Sequence, residues 1–394
     1  MFAAVGLLVV ACQSSEGAGR KPRAGISSPM APTANVSITP ADGTGQARPD
    51  KGISVTAAAG PLGTVQVTVN GVRAEGELTA DGTRWQSRWP LAPGKTYQVT
   101  ATATGEGGKV TTLTSQFTTT RAQQTISASV TGPADGARVG VGMPIILNFS
   151  QPVYNRAEIE RALEVQASTR VEGAWRWMGD QQVIFRPRTY WPTGERVTLI
   201  AHLNGARAAK NVYGTKDLRL RFTVGDALIS TVNTKNYTMT VRRNGKLIRK
   251  MPISAGKATE RRFTTTNGIH VVSEKVSPVV FDSATVGIPK GDPAYYKIKG
   301  YWAVRISDSG EYAHSAPWSV PDQGKRNVSH GCVNVGPANA KWFYQLSRPG
   351  DVVIVTGTNR QLEPDNGWGY WQLSWKEWAS GSALKRSLTT NPTI

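Results

Sequence analysis

Pro40-Ala41-Asp42-Gly43 returns as Pro133-Ala134-Asp135-Gly136, 93 residues later. A period of that length is close to one immunoglobulin-like sandwich of about 100 residues. Inside the first unit, Thr64-Val65-Gln66-Val67-Thr68-Val69 alternates apolar and polar residues and is closed by Asn70-Gly71, a strong short-range hairpin signal. Thr96-Tyr97-Gln98-Val99-Thr100-Ala101 alternates likewise. The second unit offers Pro144-Ile145-Ile146-Leu147-Asn148-Phe149, Gln182-Val183-Ile184-Phe185 and Arg196-Val197-Thr198-Leu199-Ile200, and ends near Leu218–Val224. The expected fold class is mainly β, with two tandem immunoglobulin-like β-sandwiches over 35–121 and 122–224. They read as spacers; His202 reads as a surface or strand histidine.

Upstream of the repeat, Met1–Ala11 is uncharged and almost wholly apolar. It is too short to cross a bilayer as a helix and reads as the apolar part of a signal peptide over 1–11. It lacks the basic residues that ordinarily precede such a run, which leaves open a start upstream of Met1. Val9-Val10-Ala11-Cys12 resembles a bacterial lipobox, in which the cysteine is lipidated and becomes the new N-terminus. Residues 12–34 are rich in Ser, Gly, Pro and Ala and read as a flexible tether behind a lipidated Cys12. The expectation is an extracytoplasmic envelope protein held to the plasma membrane by its N-terminal lipid.

The chain has 394 residues, 41 Gly, 23 Pro, two Cys and four His, and a formal net charge of +19. The basic residues are scattered, without a long Lys/Arg block or a nucleic-acid fold signature. No nucleic-acid partner is therefore expected; an anionic cell envelope is the preferred reading of the charge, and general solubility the other. No Cys/His/carboxylate set stands at ligand spacing and no phosphate-binding glycine loop occurs, so neither a metal nor a cofactor is expected.

From about residue 225 the texture changes. Tyr237–Val241 and Lys246–Ile248 flank Asn244-Gly245, another hairpin, and Thr265–Val272 continues the strand pattern. Pro337 can start a helix with Trp342, Phe343 and Leu346 on an apolar face, and Val352–Val355 reads as a buried strand closing a domain over 225–357. Trp368, Trp371, Trp375 and Trp378, spaced three, four and three, fit one side of a helix in a C-terminal extension over 358–394. Packing onto the preceding domain is the main reading, a glycan-stacking platform the other.

Chemistry is concentrated between His314 and Ser329-His330-Gly331-Cys332-Val333-Asn334. With Cys12 acylated, Cys332 has no disulfide partner in the chain, and an unpaired cysteine in a secreted protein points to a reactive thiol. A thiol needs a neighbouring base, and imidazole suits that role near neutral pH.

This constellation resembles the signature of L,D-transpeptidases, cysteine enzymes that cross-link peptidoglycan. His314–Val320 and Asn339–Tyr344 resemble the multi-domain actinobacterial branch. The resemblance implies a β-sandwich catalytic domain with a short helix, in which Cys332 is the nucleophile and His314 the base. It implies that the Ser315 carbonyl holds the other ring nitrogen of His314, and that a tyrosine upstream of the base contributes. Tyr296 is the candidate, with Tyr295 and Tyr301 as rivals.

Main-chain amides of His330, Gly331 and Cys332 could form an oxyanion cradle if the loop turns tightly, as Gly331 permits. His330 reads equally as a shaper of that turn. Ser329 belongs to the same binding loop. Asn334 orders the loop or the substrate, or acts as a cap, and Trp318 lines the pocket or belongs to the core. His270 reads as core; Lys325 and Arg326 read as a solvated loop, with pairing to substrate carboxylates the other reading.

The implied reaction takes the acyl group of a tetrapeptide stem onto Cys332, releases D-alanine and passes the acyl group to an amine of a second stem, a 3→3 cross-link. Donor and acceptor stems are the implied partners, and carbapenem-type β-lactams the implied inhibitors. Two other readings are an L,D-carboxypeptidase using water as acceptor and a non-catalytic peptidoglycan-binding scaffold.

Overall fold

The structure, a computed structural model, describes residues 33–392. The signal peptide, Cys12 and nearly all of the tether lie outside the described residues. The mainly β class stands, with two sandwiches followed by a third β domain.

In the first sandwich, strands Asn35–Thr39, Ser54–Ala58, Arg84–Ser87 and Gly76–Leu78 face a sheet of Val72–Arg73, Leu62–Val69, Thr96–Thr104 and Val110–Thr118. The inward set, with Ile53, Val55, Val67, Tyr97, Val99 and Phe117, forms its core. Asn70 and Gly71, at φ 49° and 78°, make the two-residue turn that glycine and asparagine tolerate best.

The repeated tetrapeptide does the same job twice. Asp42 accepts the Gln116 amide at 2.7 Å, and Asp135 accepts the Arg221 amide at 2.8 Å. The following glycine amides donate to the carbonyls of the same two residues, Gly43 at 2.9 Å and Gly136 at 2.7 Å. Each copy pins the start of its sandwich to that sandwich's last strand.

The second sandwich ends differently. Its sheets are completed by the far C-terminus: Leu388–Thr389 pairs with Glu172–Met178, and Asn391–Pro392 with Leu163–Ala167. The tryptophans prepare this return, but not as one helix. A 3-10 turn, Gly369–Gln372, is separated from a helix, Trp375–Ser380, because Ser374 starts the helix afresh, forming a reciprocal capping box with Glu377.

They also pack elsewhere than expected. Trp378 is fully buried among Ile146, Ala174, Ile184 and Tyr370 and donates its Nε1–H to the Ala174 carbonyl at 2.9 Å. Trp371 donates to the Gly142 carbonyl at 3.0 Å. Between them the buried Arg186 guanidinium lies 4.6, 5.6 and 4.8 Å from the ring centroids of Trp371, Trp375 and Trp378. Three indole faces and the Leu373 carbonyl, 2.8 Å from Nη2, replace the carboxylate a buried cation usually needs. The tryptophans therefore clamp the second sandwich, while the same segment also holds the third domain through Gln372, which donates to the Ile269 carbonyl at 2.8 Å, and Asn366, which accepts the Ser309 amide at 2.8 Å.

The third domain is a ten-stranded sheet in which Lys246–Ser254 pairs on one edge with Thr238–Arg243 and on the other with Val333–Val335. Val232, Met251, Val304, Val333, Val335 and Val355 share one core, so the two ends of the sheet wrap around it. Helix Pro337–Leu346 has Pro at its first turn and buries Ala340 and Phe343 against that core, with Trp342 and Leu346 half-buried. The domain is docked on the second sandwich by main chain: the Gly140 amide donates to the Pro349 carbonyl and the Gly142 amide to the Gly350 carbonyl, both at 2.8 Å. A Cβ on Gly140 would stand 2.2 Å from the Asp351 nitrogen, so only glycine allows this approach.

Candidate active site

Strands Tyr312–Ser315 and Val333–Val335 run parallel, with His314 opposite Asn334. Side chains alternate along a strand, so His314 and Asn334 share a sheet face, which the chain two residues before Asn334 gives to Cys332 as well. Ala313, Val333 and Val335 take the opposite face and enter the core. That register brings His314, Cys332 and Asn334 to one cavity of about 300 Å³, closed by Phe281, Tyr296, Ile298 and Trp318.

His314 is almost completely buried, and its Nδ1 stands 2.9 Å from the Ser315 carbonyl. A carbonyl can only accept, so Nδ1 carries the hydrogen and Nε2 keeps the lone pair in the neutral ring. Burial pulls the imidazole down to about 4, against smaller upward pulls from the Ser315 carbonyl and the Asn334 side chain. Phe281 tilts against the ring at 4.6 Å.

The Cys332 thiol points to the Gly310 carbonyl, 3.5 Å from Sγ. Burial pushes it up to about 12; the Tyr312 amide opposes this, and the negative charge of Glu311 adds to it. Burial thus favours the uncharged form of both the thiol and the imidazole.

The loop before the thiol is tightly tied. Ser329 Oγ donates to the Cys332 carbonyl at 2.6 Å and accepts the Gly331 amide at 3.1 Å. Gly331 has φ 131°, a region that favours glycine, and its carbonyl accepts from Thr265 Oγ1 at 2.7 Å. Of the three amides expected in the cradle, that of Gly331 is engaged within the loop. His330 packs between Phe263, 4.7 Å edge-on, and Tyr296, at 5.2 Å, and lines the cavity wall.

Among the three tyrosines, Tyr296 lines the cavity; burial, and secondarily the charge a Cys332 thiolate would bring, raise its phenol well above the ordinary value. Tyr295 lies in an outer depression with Lys257 and Asp292, and Tyr301 is exposed. Trp318 is 52% exposed, which places it on the rim and not in the core. His270 is core: its ring nitrogens sit 3.1 and 2.9 Å from the Ile306 and Thr266 carbonyls. His202 stacks on Trp89 at 3.5 Å, at the junction of the two sandwiches. Arg326 meets Asp322 at 2.5 Å in an exposed loop.

Two neighbours of the thiol escaped the sequence reading. Glu311 is buried, accepts the Thr266 amide at 2.7 Å, and lines a second cavity of about 110 Å³ that also reaches Cys332. Phe281 arrives from a separate strand. The motif itself carries no signal for either.

Residues 228–355 match the model of the L,D-transpeptidase catalytic domain, and residues 44–207, spanning both sandwiches, match that of a bacterial Ig domain. The chain is 36% identical over 390 residues to L,D-transpeptidase 2 of Mycobacterium tuberculosis (strain CDC 1551 / Oshkosh), covering 97% of this chain and 94% of that one. The chain belongs to the L,D-transpeptidase family. It is also 39% identical over 225 residues to L,D-transpeptidase 1 of Mycobacterium tuberculosis (strain ATCC 25618 / H37Rv), covering 57% of this chain and 83% of that one. A solved L,D-transpeptidase in complex with imipenem is similar at 37% identity and a TM-score of 0.51, over 59% of this chain and 99% of that one. This L,D-transpeptidase is an enzyme of the acyltransferase type, and the cavity at Cys332 lies within the segment that matches the catalytic model.

Proposed function

We propose that Cys332 is the nucleophile and His314 the base of a 3→3 peptidoglycan cross-linking reaction. The observation that carries this is the shared face: Cys332, His314 and Asn334 line one cavity, with the imidazole tautomer fixed by the Ser315 carbonyl.

Burial favours the uncharged form of both groups, so proton transfer accompanies bond formation. The thiol leaves the Gly310 carbonyl and gives its proton to His314 Nε2 as Sγ attacks the carbonyl carbon of the third stem residue. The negative charge that develops on oxygen is met by the amides of His330 and Cys332. The C–N bond breaks, the imidazolium protonates the departing D-alanine amine, and a Cys332 thioester remains. A side-chain amine of a second stem then attacks the thioester, His314 takes its proton, the C–S bond breaks and the thiol is restored. Tyr296 and Trp318 bound the stem, while Ser329 and Gly331 hold the loop.

The solved relative was captured with imipenem. By the same attack, a carbapenem-type β-lactam would acylate Cys332, with the ring C–N bond opening and its nitrogen taking the proton. Lipidation at Cys12 would hold the enzyme to the outer face of the plasma membrane; fatty-acid labelling that survives Cys12→Ala would overturn that part.

A defined disaccharide-tetrapeptide, followed by intact-protein and product mass spectrometry, tests the reaction. The native chain should gain the acyl mass, release D-alanine and form a dimer through the stem amine. Cys332→Ala should do none of these, with at least a 10³-fold loss of product. Undiminished turnover in that variant, or a product with water as the sole acceptor, would reject the proposal.

A further inference from the structure

A cavity of about 860 Å³, larger than the one at Cys332, lies between the two sandwiches. Its cations come from both sandwiches and the tail: Lys51, Arg84 and Arg88 from the first sandwich, Arg161 and Arg207 from the second, and Arg386 from the returning tail. Its acids are Asp50, Glu77 and Glu158. Asp50 pairs with Arg48 and accepts the Tyr213 hydroxyl at 3.4 Å, and Glu77 lies 3.6 Å from Arg88. Among the described residues, Lys51, Arg84, Arg161 and Arg386 have no carboxylate at ion-pair distance. Glu158 has no ion-pair partner either, so four exposed cations face one free carboxylate and the cleft keeps a net positive charge that attracts an anion.

The floor of the cleft is fixed. Arg88 reaches Glu164 at 3.2 Å, Trp89 stacks on His202 at 3.5 Å, and Asn391 donates to Glu164 at 2.8 Å. His202 stacks on one face of the Trp89 indole, and the Arg88 guanidinium lies 5.1 Å from the ring centroid. Recognition here is by charge, and guanidinium groups favour the paired oxygens of carboxylates.

We infer that this cleft is a second, non-catalytic site that holds uncross-linked peptidoglycan through the carboxylates of its stem peptides. The inference rests on peptidoglycan being the polymer this enzyme handles, but not on the chemistry at Cys332. A wall strand held between the sandwiches would keep further stems near the catalytic cavity between turnovers, raising their effective concentration without changing the active site.

The test uses the full chain and purified wall sacculi in a pelleting assay at several salt concentrations. One variant carries Arg84→Glu, Arg161→Glu and Arg386→Glu. A charge-matched control carries Arg170→Glu, Arg196→Glu and Arg219→Glu, exposed residues of the second sandwich. The cleft variant should bind roughly tenfold more weakly, with a flatter salt dependence, and the control by about twofold at most. Sacculi whose carboxylates have been amidated should bind native chain and cleft variant alike. Turnover of a small soluble stem peptide should be unchanged in both variants, so a failure here is separable from a failure at Cys332. If the triple reversal does not fold, Arg→Gln at the same three positions replaces it.

Equal losses in the cleft and control variants would reduce the effect to net charge and overturn the inference. So would a cleft dependence that survives amidation of the wall.

Discussion

The two sandwiches share a repeat and a fold but not their relation to the enzyme. The first meets its neighbour through an ion pair, a ring stack, a tyrosine hydroxyl and a close approach of Gly205 to the Leu91 main chain. The second is tied to the catalytic domain by main-chain hydrogen bonds at Gly140 and Gly142, and its sheets are finished by the chain's own C-terminus. The first is therefore expected to melt by itself, whereas the second, the catalytic domain and the tail are expected to melt as one body. The expected spacer role fits the first sandwich better than the second.

Trp378→Ala should break this contrast most severely. The indole is fully buried, supplies one face to Arg186 and donates to the Ala174 carbonyl. Its removal leaves a cavity and an unpaired carbonyl, at a cost of about 3–5 kcal/mol. Calorimetry should show the joint transition of the second sandwich and catalytic domain falling by roughly 10 °C while that of the first sandwich stays in place. A drop confined to the second sandwich would mean that the tail does not weld the two together.

A smaller effect is expected at the seam itself. Asp351 lies against Gly140, and burial pushes its carboxyl up to about 7, partly opposed by the Arg348 amide and by the Arg348 and Lys275 charges. An ordinary unfolded Asp titrates near about 4. The folded state thus binds the proton more tightly, and its contribution is complete below about 4 and lost as pH rises through about 7. Native protein should lose up to about 1.4 kcal/mol per pH unit within that window. Asp351→Asn keeps an acceptor for the Arg348 amide and should abolish the slope, gaining urea resistance at about pH 8 and little at about pH 5. Parallel pH profiles for the two proteins would exclude Asp351 as the source.

The same divide between local and assembled features decides what could be read from the sequence. Asn70-Gly71 was legible because two residues fix a turn. The Cys332 and His314 pair was legible because short parallel strands join positions close in sequence, so spacing survives folding. Glu311 and Phe281 were not, since only tertiary structure turns them toward the thiol and imidazole. The engagement of the Gly331 amide was not legible either, since Ser329 Oγ offers it a local hydrogen bond that competes with any ligand. The tryptophan spacing kept a helical period across a break, yet Ser374 followed by Glu377 was a capping-box signal within it. What those tryptophans cover, an arginine nearly two hundred residues earlier, has no trace in their spacing.

The repeat gives the finest test, because Asp42 and Asp135 make the same bond in the two surroundings. Each accepts one main-chain amide of its sandwich's last strand, at 2.7 and 2.8 Å. Asp42→Ala and Asp135→Ala should therefore cost alike, roughly 1–2 kcal/mol each in urea. Their thermal effects should differ. A melting temperature shifts by the free-energy loss divided by the unfolding entropy of the whole cooperative unit, and that entropy grows with size. A unit the size of the first sandwich should fall by about 4–8 °C per kcal/mol, whereas a larger body that includes the catalytic domain should fall by less than half as much. Equal shifts would show that the second sandwich melts as a separate small unit, and that its seam with the catalytic domain is a contact like the first sandwich's own.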